Sequence, residues 1–301
     1  MRAGLDLTIA DLSLAVRGPE GLPIAEDEPA YQEFLTDPAA AAEDRVTVTV
    51  RLDPPPDATD LPVRFDSGTA WRLRGGDGER VLEWPAREGP EGWWWSAYLT
   101  GWAEAVTVHC PAEQVRTQAD GHSLRNPVRY PLDQLLLMYR LAARGGLIVH
   151  AASVALDGAG LAFAGPSGAG KSTLAAQIQG APGVEPITDD RTILRLRGDG
   201  VRLWGTPWPG EGQIARNRDA PLDALCVLRQ GPTHRLRRLV RPEALARLLP
   251  VISIPWFEPA VTDAALAVLA EVLARVPVLE LEFTPDRGVV DVLRERPWSP
   301  S

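Results

Sequence analysis

Lysine is almost absent from this chain of 301 residues. Of its 31 lysines and arginines, Lys171 is the only lysine. Acidic residues number 40, so the net charge is −9, and residues 1–60 alone hold 13 acids against 4 arginines. A protein that binds nucleic acid or an anionic membrane needs an excess of positive charge to release counterions. The composition therefore predicts no nucleic-acid partner and no membrane partner.

Cysteine is also scarce, and the chain lacks a long uninterrupted apolar run. Cys110 and Cys226 are the only cysteines, which is too few for a disulfide framework, so we predict buried thiols in a reducing compartment. Asp6 and Asp11 interrupt the apolar N-terminus, which makes it a poor signal peptide. Charges also interrupt residues 261–281, the most apolar late segment. These absences predict a soluble, cytoplasmic protein.

The first 126 residues contain mostly alternating apolar and polar residues. Valines at 46, 48 and 50 alternate with polar residues, and two alternating runs flank the turn-forming residues 75–78. This period of two is typical of strands with one buried face. We predict an antiparallel β-rich domain over residues 1–126, with one short helix near residues 30–35. The turn-rich stretch 118–129 is the predicted domain boundary.

Residues 127–301 combine helical and strand patterns. Apolar residues at helical spacing over 131–142 predict a helix that two glycines, at 145 and 146, bring to an end. Further elements are predicted as strands at 147–156 and 161–164, a helix at 174–179, a hairpin at 192–204, helices at 242–249 and 260–275, and a strand at 277–283. This half is therefore predicted to be an α/β or α+β domain.

Residues 165–172, Gly-Pro-Ser-Gly-Ala-Gly-Lys-Ser, match the phosphate-loop (P-loop) pattern G-x-x-x-x-G-K-[ST] at every fixed position. The loop lies between a predicted strand and a predicted helix, where glycines turn backbone N–H groups toward an anion and the helix adds its positive end. The predicted triphosphate-binding residues are Gly165, Ser167, Gly168, Ala169, Gly170, Lys171, Ser172 and Thr173. The Ser172 hydroxyl is predicted to bind Mg²⁺. A compact ammonium fits such a loop better than a planar guanidinium, which explains why Lys171 is a lysine.

Two adjacent acids, Asp189 and Asp190, follow Lys171 by 18 and 19 residues. Switch NTPases and transport ATPases place their metal aspartate further along the chain, and the guanine, transporter and protein-kinase signatures do not occur in the sequence. Phosphoryl transfer uses one carboxylate for the acceptor proton and another acid for the metal. We predict Asp190 as the base and Asp189 on the metal side, and the reverse assignment stays open.

The segment that begins at His150 (His-Ala-Ala-Ser-Val), the P-loop and the two aspartates together resemble the catalytic domain of HPr kinase/phosphorylase over residues 145–197. The resemblance implies a fold shared with phosphoenolpyruvate carboxykinases. It also implies the use of ATP and Mg²⁺, transfer of a phosphoryl group to a serine hydroxyl, and catalytic roles for His150, Lys171, Asp189 and Asp190. The overall layout is similar to HPr-kinase-related proteins that accompany ribosomal-peptide biosynthesis genes, including lasso-peptide kinases.

The chain departs from that family in two places. Residues 205–212 occupy the region of the family's downstream glycine-rich motif but do not match it. The N-terminal half shows no match to the family either. These departures leave open whether HPr is the substrate and whether the reverse, phosphorylase reaction occurs. We expect a phosphotransferase that acts on a serine of a peptide or small protein, with residues 1–126 selecting it. The alternatives are a small-molecule kinase and a nucleotide-binding sensor that transfers nothing. HPr kinases form hexamers, so a homo-oligomer is a further expectation.

Four other features each have a functional and a structural explanation. His150 either supports catalysis or is a hydrogen-bonded core histidine. Glu211 approaches the acceptor or the metal, or only belongs to a rigid turn. The arginines of residues 229–247 bind phosphate or an acidic peptide, or form a solvated strand face. Tryptophans 93–95 with Trp102 form a peptide groove, or pack within the β domain.

Overall fold

The computed structural model describes residues 4–37, 44–68, 70–76, 78–85, 93–118, 121–296 and 298. Its contacts divide the chain into two units, Met1–Arg140 and Leu141–Ser301. Each unit mixes strands with helices. Within the described ranges, we find no helix with the length and apolar character needed to cross a membrane.

The first unit is built mainly of strands. These strands are β1 (Gly4–Ile9), β2 (Leu12–Arg17), β3 (Ile24–Ala25), β4 (Asp44–Arg51), β5 (Val63–Asp66), β6 (Arg72–Gly75), β7 (Glu79–Pro85), β8 (Trp93–Thr100), β9 (Ala105–His109), β10 (Val115–Gln118) and β11 (Gly121–Arg125). Two 3₁₀ helices, Pro29–Phe34 and Ala112–Gln114, and helix α1 (Leu132–Ala143) accompany them. One sheet has the order β1-β2-β4-β9-β8-β7-β6-β5, and a second has the order β10-β11-β3.

The expectation of an antiparallel domain was wrong for part of this unit. β4 pairs in parallel with both β2 and β9, and β11 pairs in parallel with β3. Parallel neighbours need a long connection, and here the helix Pro29–Phe34 separates β2 from β4 while strands β5 to β8 separate β4 from β9. Alternation in the sequence reveals a buried face but not which neighbour a strand takes, so the pattern did not distinguish the two arrangements.

The contact-based division differs from the predicted boundary after residue 126. Arg129 forms ion pairs with Glu26, Asp27 and Glu28, and the hydroxyl of Tyr31 donates a hydrogen bond to Asp133 at 2.6 Å. These contacts attach the start of α1 to residues 26–31, which follow β3. The division therefore falls within α1, between residues 140 and 141, and the roles predicted for the two domains stay predictions.

One tryptophan of the predicted peptide groove packs inside the first sheet. Trp95 of β8 stacks on Trp84 of β7, with ring centroids 5.9 Å apart. Trp102 is half-buried, and the side chains of residues 93 and 94 lie outside the described residues. Packing accounts for Trp95, and the groove stays a prediction.

The second unit combines strands with four α-helices and one 3₁₀ helix, Leu249–Val251, in its described part. Its elements are β12 (Gly146–Leu156), β13 (Ala159–Ala164), α2 (Lys171–Ile178), β14 (Val184–Thr188), β15 (Arg191–Arg197), β16 (Gly200–Trp204), β17 (Asp219–Gln230), β18 (Arg235–Arg238), α3 (Arg241–Leu248), α4 (Pro259–Arg275), β19 (Val278–Phe283) and α5 (Val289–Arg294). The elements predicted from the sequence are present. β14, β17 and α5 were not predicted, and Pro221 inside β17 breaks the pattern expected of a central strand.

Strand β12 changes partners halfway along its length. Its first half, Gly146 to His150, pairs with β15, and its second half, Ala151 to Leu156, pairs with β13. β13 also pairs in parallel with β17, so the strands β13, β12, β15, β16 and β17 close into a ring. Where β12 changes partners, a gap between its neighbouring strands is expected. In open α/β sheets, ligands bind at comparable switch points.

An apolar core holds helices α2 and α5 against the sheet of the second unit. It contains Phe163 of β13, Leu174 of α2, Cys226 of β17 and Leu293 of α5. Both cysteines of the chain are buried free thiols, as predicted, and burial raises the pKa of each to about 12. The packing of α2 fixes the position of the P-loop, which leads directly into this helix.

Candidate active site

The P-loop connects β13 to α2, as the sequence predicted. Gly168 and Gly170 have φ angles of +80° and +102°, which glycine adopts readily and other residues rarely do. A Cβ atom on Gly165 would lie 2.6 Å from the Cβ of Ala169, and one on Gly170 would lie 2.9 Å from Cζ of Phe283. No side chain caps the N-terminus of α2, so its first N–H groups are available to an anion.

Lys171 is buried although it is the first residue of α2, with 7% of its surface exposed. Its Nζ donates hydrogen bonds to the main-chain oxygens of Gly165 at 2.9 Å and Pro166 at 3.2 Å. Burial lowers the pKa of Lys171, the Asp190 carboxylate opposes this, and Arg191 adds to the lowering. The ammonium group therefore lies inside the loop, without a carboxylate in direct contact.

Asp189 and Asp190 form the two-residue junction between β14 and β15. β14 pairs with the second half of β12, where Thr188 lies opposite Ser153, and β15 pairs with the first half, where Arg191 lies opposite His150. The junction thus lies at the point where β12 changes partners. Gly165 N donates to His150 O at 3.4 Å, which brings the P-loop to the same place.

The Asp190 side chain points toward His150, whose main-chain oxygen accepts a hydrogen bond from the P-loop. Its Oδ1 lies 2.8 Å from Nε2 of His150, and its Oδ2 lies 3.6 Å from Nε of Arg191. Burial acts to raise the pKa of Asp190, but the hydrogen bond and charge of His150, with Arg191 and Lys171, outweigh it, so the pKa is lowered. The structure therefore brings together an ionised carboxylate, a histidine and the P-loop ammonium.

The Asp189 side chain points the other way, toward residues 210–214. Its Oδ1 accepts hydrogen bonds from Gly210 N at 2.9 Å and Ile214 N at 3.3 Å. A Cβ on Gly210 or Gly212 would lie 3.1 Å or 2.8 Å from its Oδ2, so both glycines leave room for the carboxylate. Asp189 thus fixes the turn at residues 210–214, which overlaps the segment 205–212 where the glycine-rich family motif is not found. These contacts do not test its predicted metal role, which stays a prediction.

The hydroxyl residues of the P-loop are accessible. Ser167, Ser172 and Thr173 are exposed, and the latter two lie in the first turn of α2. Glu211 is exposed at the tip of the turn held by Asp189. In the part of the chain that the structure describes, no group of three or more His, Cys, Asp or Glu side chains is arranged to hold a metal ion.

Three arginines of residues 229–247 form ion pairs with two buried glutamates of β19. Arg229 forms ion pairs with Glu280 and Glu282, and Arg237 and Arg247 lie 3.3 Å and 3.2 Å from Glu280. These pairs favour a structural explanation for the three arginines. Arg191 was not predicted as a site residue from the sequence. Its position directly after the two aspartates could have indicated that it belongs to the site.

Comparisons with known proteins give two similarities. Residues 131–263, less than half of the chain, match the family described as "SynChlorMet cassette protein ScmC", and the match includes His150, the P-loop and both aspartates. No curated protein matches the sequence. Among solved structures, the chain is similar to the Hpr(Ser) kinase/phosphatase from Coxiella burnetii, with 12% identity, a TM-score of 0.27, and coverage of 50% of this chain and 92% of that one. No conclusion about function is drawn from so low a TM-score.

Proposed function

We propose that the second unit binds ATP with Mg²⁺ and transfers its γ-phosphoryl group to a hydroxyl group. One observation carries the proposal. The buried ammonium of Lys171 lies inside a glycine loop that donates a hydrogen bond to the main chain of His150, and the His150 ring lies 2.8 Å from the Asp190 carboxylate. In phosphoryl transfer, positioning and charge neutralisation supply most of the catalysis, and these groups supply both.

The loop fits a polyphosphate on its own geometry. Gly165 and Gly170 leave no space for a side chain, and the N-terminus of α2 has no side-chain cap. Lys171 donates to two loop oxygens, which phosphate oxygens would replace as acceptors. An anion at this position therefore receives main-chain N–H groups and one ammonium.

Mg²⁺ fits the chemistry of two oxygen groups, the Asp189 carboxylate and the Ser172 hydroxyl. Asp189 Oδ2 is buried and has no hydrogen-bond partner among the described residues, which is unfavourable for a carboxylate oxygen unless a cation or a donor reaches it. The Ser172 hydroxyl is exposed at the start of α2. We assign Ser172 and Asp189 to Mg²⁺, as predicted from the sequence. When bound, the ion would neutralise charge on the β- and γ-phosphate oxygens.

Asp190 has the contacts of a general base. His150 holds one of its oxygens, and the other accepts the proton of the acceptor hydroxyl. The acceptor oxygen then forms a bond to the γ-phosphorus while the bond from that phosphorus to the bridging oxygen breaks, and ADP leaves. Lys171 stabilises the negative charge on the β- and γ-phosphate oxygens. We further propose a serine of a peptide or small protein as the acceptor, with the first unit selecting it.

The test is a mass measurement on candidate peptides. The purified protein is incubated with Mg²⁺ and ATP and with short peptides encoded by neighbouring genes, and one added phosphate appears as a gain of about 80 Da. We expect the gain with the wild type but not with Lys171→Ala or Asp190→Asn. Arg218→Gln is the matched control because Arg218 forms an exposed ion pair with Glu185 at 3.2 Å.

The alternatives give different results in the same experiment. Phosphate on a small hydroxyl compound but on no peptide indicates a small-molecule kinase. ATP binding without transfer to any acceptor indicates a sensor, and partner binding that Lys171→Ala abolishes would support it. A wild-type protein that does not bind ATP contradicts the proposal as a whole.

A further inference from the structure

The backbone of Arg191 is fixed at the edge of the proposed site. Arg191 is the first residue of β15 and lies directly opposite His150 in the antiparallel pairing with β12. Side chains at directly opposed positions lie on the same face of a sheet. The main-chain oxygen of Arg191 accepts a hydrogen bond from the Thr206 hydroxyl at 2.7 Å. The guanidinium therefore extends from the same face as His150, next to Asp190.

The guanidinium of Arg191 is only partly used by the protein. Its Nε lies 3.6 Å from Asp190 Oδ2, a distance beyond a normal hydrogen bond. Among the residues that the structure describes, its two Nη atoms donate no hydrogen bond, and the side chain is 24% exposed. The donor groups that guanidinium uses for bidentate contacts are therefore available to a ligand.

Other arginines of the second unit have closer partners. Arg229 contacts two buried glutamates, and Arg237 binds Glu243 through both Nη atoms, at 3.0 Å and 2.7 Å. Arg191 and His150 instead lie beside a single carboxylate, that of Asp190. Arg191 therefore has a weaker protein partner than these arginines, and its guanidinium can still donate to an anionic ligand.

We infer that the Arg191 guanidinium is a second phosphate-binding cation of the site, which contacts the γ-phosphoryl group during its transfer and orients it beside Asp190. This inference rests on the proposed phosphotransferase function and adds a residue to it. Guanidinium donates two parallel N–H bonds to phosphate oxygens, and a lysine ammonium does not. Lys171 is then the cation within the loop, and Arg191 is the cation on the acceptor side.

The step balances without any further reactant. The acceptor oxygen–phosphorus bond forms, the bond from the γ-phosphorus to the bridging oxygen breaks, the hydroxyl proton goes to Asp190, and ADP is the leaving group. Arg191 neither gains nor loses a proton. It stabilises the negative charge on the three γ-phosphoryl oxygens as the bond breaks, and such an arginine increases rates by about 10³- to 10⁵-fold in other phosphoryl-transfer enzymes.

The decisive experiment needs no acceptor. The affinity for ADP with Mg²⁺ is measured by calorimetry with and without aluminium fluoride, which imitates the phosphoryl group in transfer. We expect wild type to bind ADP more tightly when aluminium fluoride is present. Arg191→Gln should bind ADP alone with an affinity within about threefold of wild type. Its gain in affinity from aluminium fluoride should be about 10²-fold smaller, which is the scale of removing one donor to developing charge. Arg191→Lys should retain part of the gain.

The controls separate the possible failures. ADP binding by Arg191→Gln shows that the variant is folded, and Arg218→Gln should behave as wild type. Once an acceptor is identified, Arg191→Gln should lower kcat by about 10²-fold or more with little change in the KM for ATP. An unchanged gain from aluminium fluoride in Arg191→Gln overturns the role of Arg191 alone. Failure of the wild type to bind ADP overturns the proposed function, and the role of Arg191 with it.

Discussion

Arg129 in the first unit and Lys171 in the second are both largely buried cations, but they have different partners. The Arg129 side chain is 12% exposed and forms ion pairs with Glu26, Asp27 and Glu28. Lys171 is 7% exposed, and its hydrogen bonds go to two main-chain oxygens of its own loop. The first cation is neutralised by the fold, and the second is not.

This difference separates charges that stabilise the fold from charges that are available to a ligand. Buried polar groups are normally satisfied, so an exception needs an explanation, and perturbed ionisable groups cluster at functional sites. Glu280 and Glu282 show that the distinction is not one between the two units, because arginines neutralise both inside the second unit. In the described part of the second unit, Lys171, Asp189, Asp190 and Arg191 are among the incompletely neutralised groups.

The largest effect is expected for Asp190, the ionised carboxylate that contacts His150. Asp190→Asn keeps the shape of the side chain but cannot accept the acceptor proton, so kcat should fall by about 10²- to 10⁴-fold. The affinity for ATP should change by only a few-fold, since Asp190 is assigned to the acceptor and not to the nucleotide. Steady-state kinetics and calorimetry measure the two quantities. A fall of less than tenfold in kcat would show that Asp190 is not the base.

Removing the neutralised cation should lower stability. Arg129→Ala leaves the buried Glu26 carboxylate with its hydrogen bond from Asn126 but without its ion-pair partner, and breaking such a pair costs about 3 kcal/mol or more of the free energy of unfolding. Urea unfolding followed by circular dichroism measures the loss. Gln in place of the neighbouring Arg116, an exposed residue paired with Asp27, is the control and should cost about 1 kcal/mol at most.

Removing the cation in the P-loop should change the stability of the protein little but should abolish its stabilisation by nucleotide. Lys171→Met should change the free energy of unfolding without nucleotide by less than about 1 kcal/mol, because it removes a charge that burial already disfavours. It should abolish stabilisation by Mg²⁺-ADP, which for wild type is about 2.7 kcal/mol at a ligand concentration 100 times Kd. If Lys171→Met cost as much stability as Arg129→Ala, the distinction between the two cations would fail.

The smallest predicted effect concerns His150 and the pH dependence of transfer. His150, Arg191 and Lys171 all lower the pKa of Asp190, and the base is active when ionised, so activity is lost as pH falls through that pKa. His150→Ala removes a hydrogen bond to the carboxylate, so the pKa of Asp190 should rise and the acidic limb of kcat should move to higher pH. At neutral pH kcat should fall about tenfold, from a loss of about 1.5 kcal/mol.

Glutamine is the matched substitution at position 150 because its amide N–H₂ group can still donate to Asp190. His150→Gln should therefore keep more of the rate and a lower acidic limb than His150→Ala. Identical pH profiles for the two variants would show that the 2.8 Å contact between His150 and Asp190 does not set the pKa of the base.

Some elements were predictable because their determinants are local. Glycines at 145 and 146 end α1, and the hairpin of β15 and β16 turns at residues 198–200, as their sequence patterns indicated. Strand β17 was not predictable, since its 12 residues include Pro221 and pair with three different strands. The parallel pairs of β4 were missed for a similar reason, because alternation along one strand carries no information about its neighbours.

The sequence by itself determined that a P-loop stands between a strand and a helix, and that two aspartates follow it. Glycine conformations and the order of neighbouring elements are properties of consecutive residues, so they can be read without the fold. Only the tertiary structure decided that Asp190 contacts His150 while Asp189 holds residues 210–214, and that Arg191 lies opposite His150. Those contacts depend on how β14 and β15 pair with β12, and such pairing joins residues that are far apart in the chain.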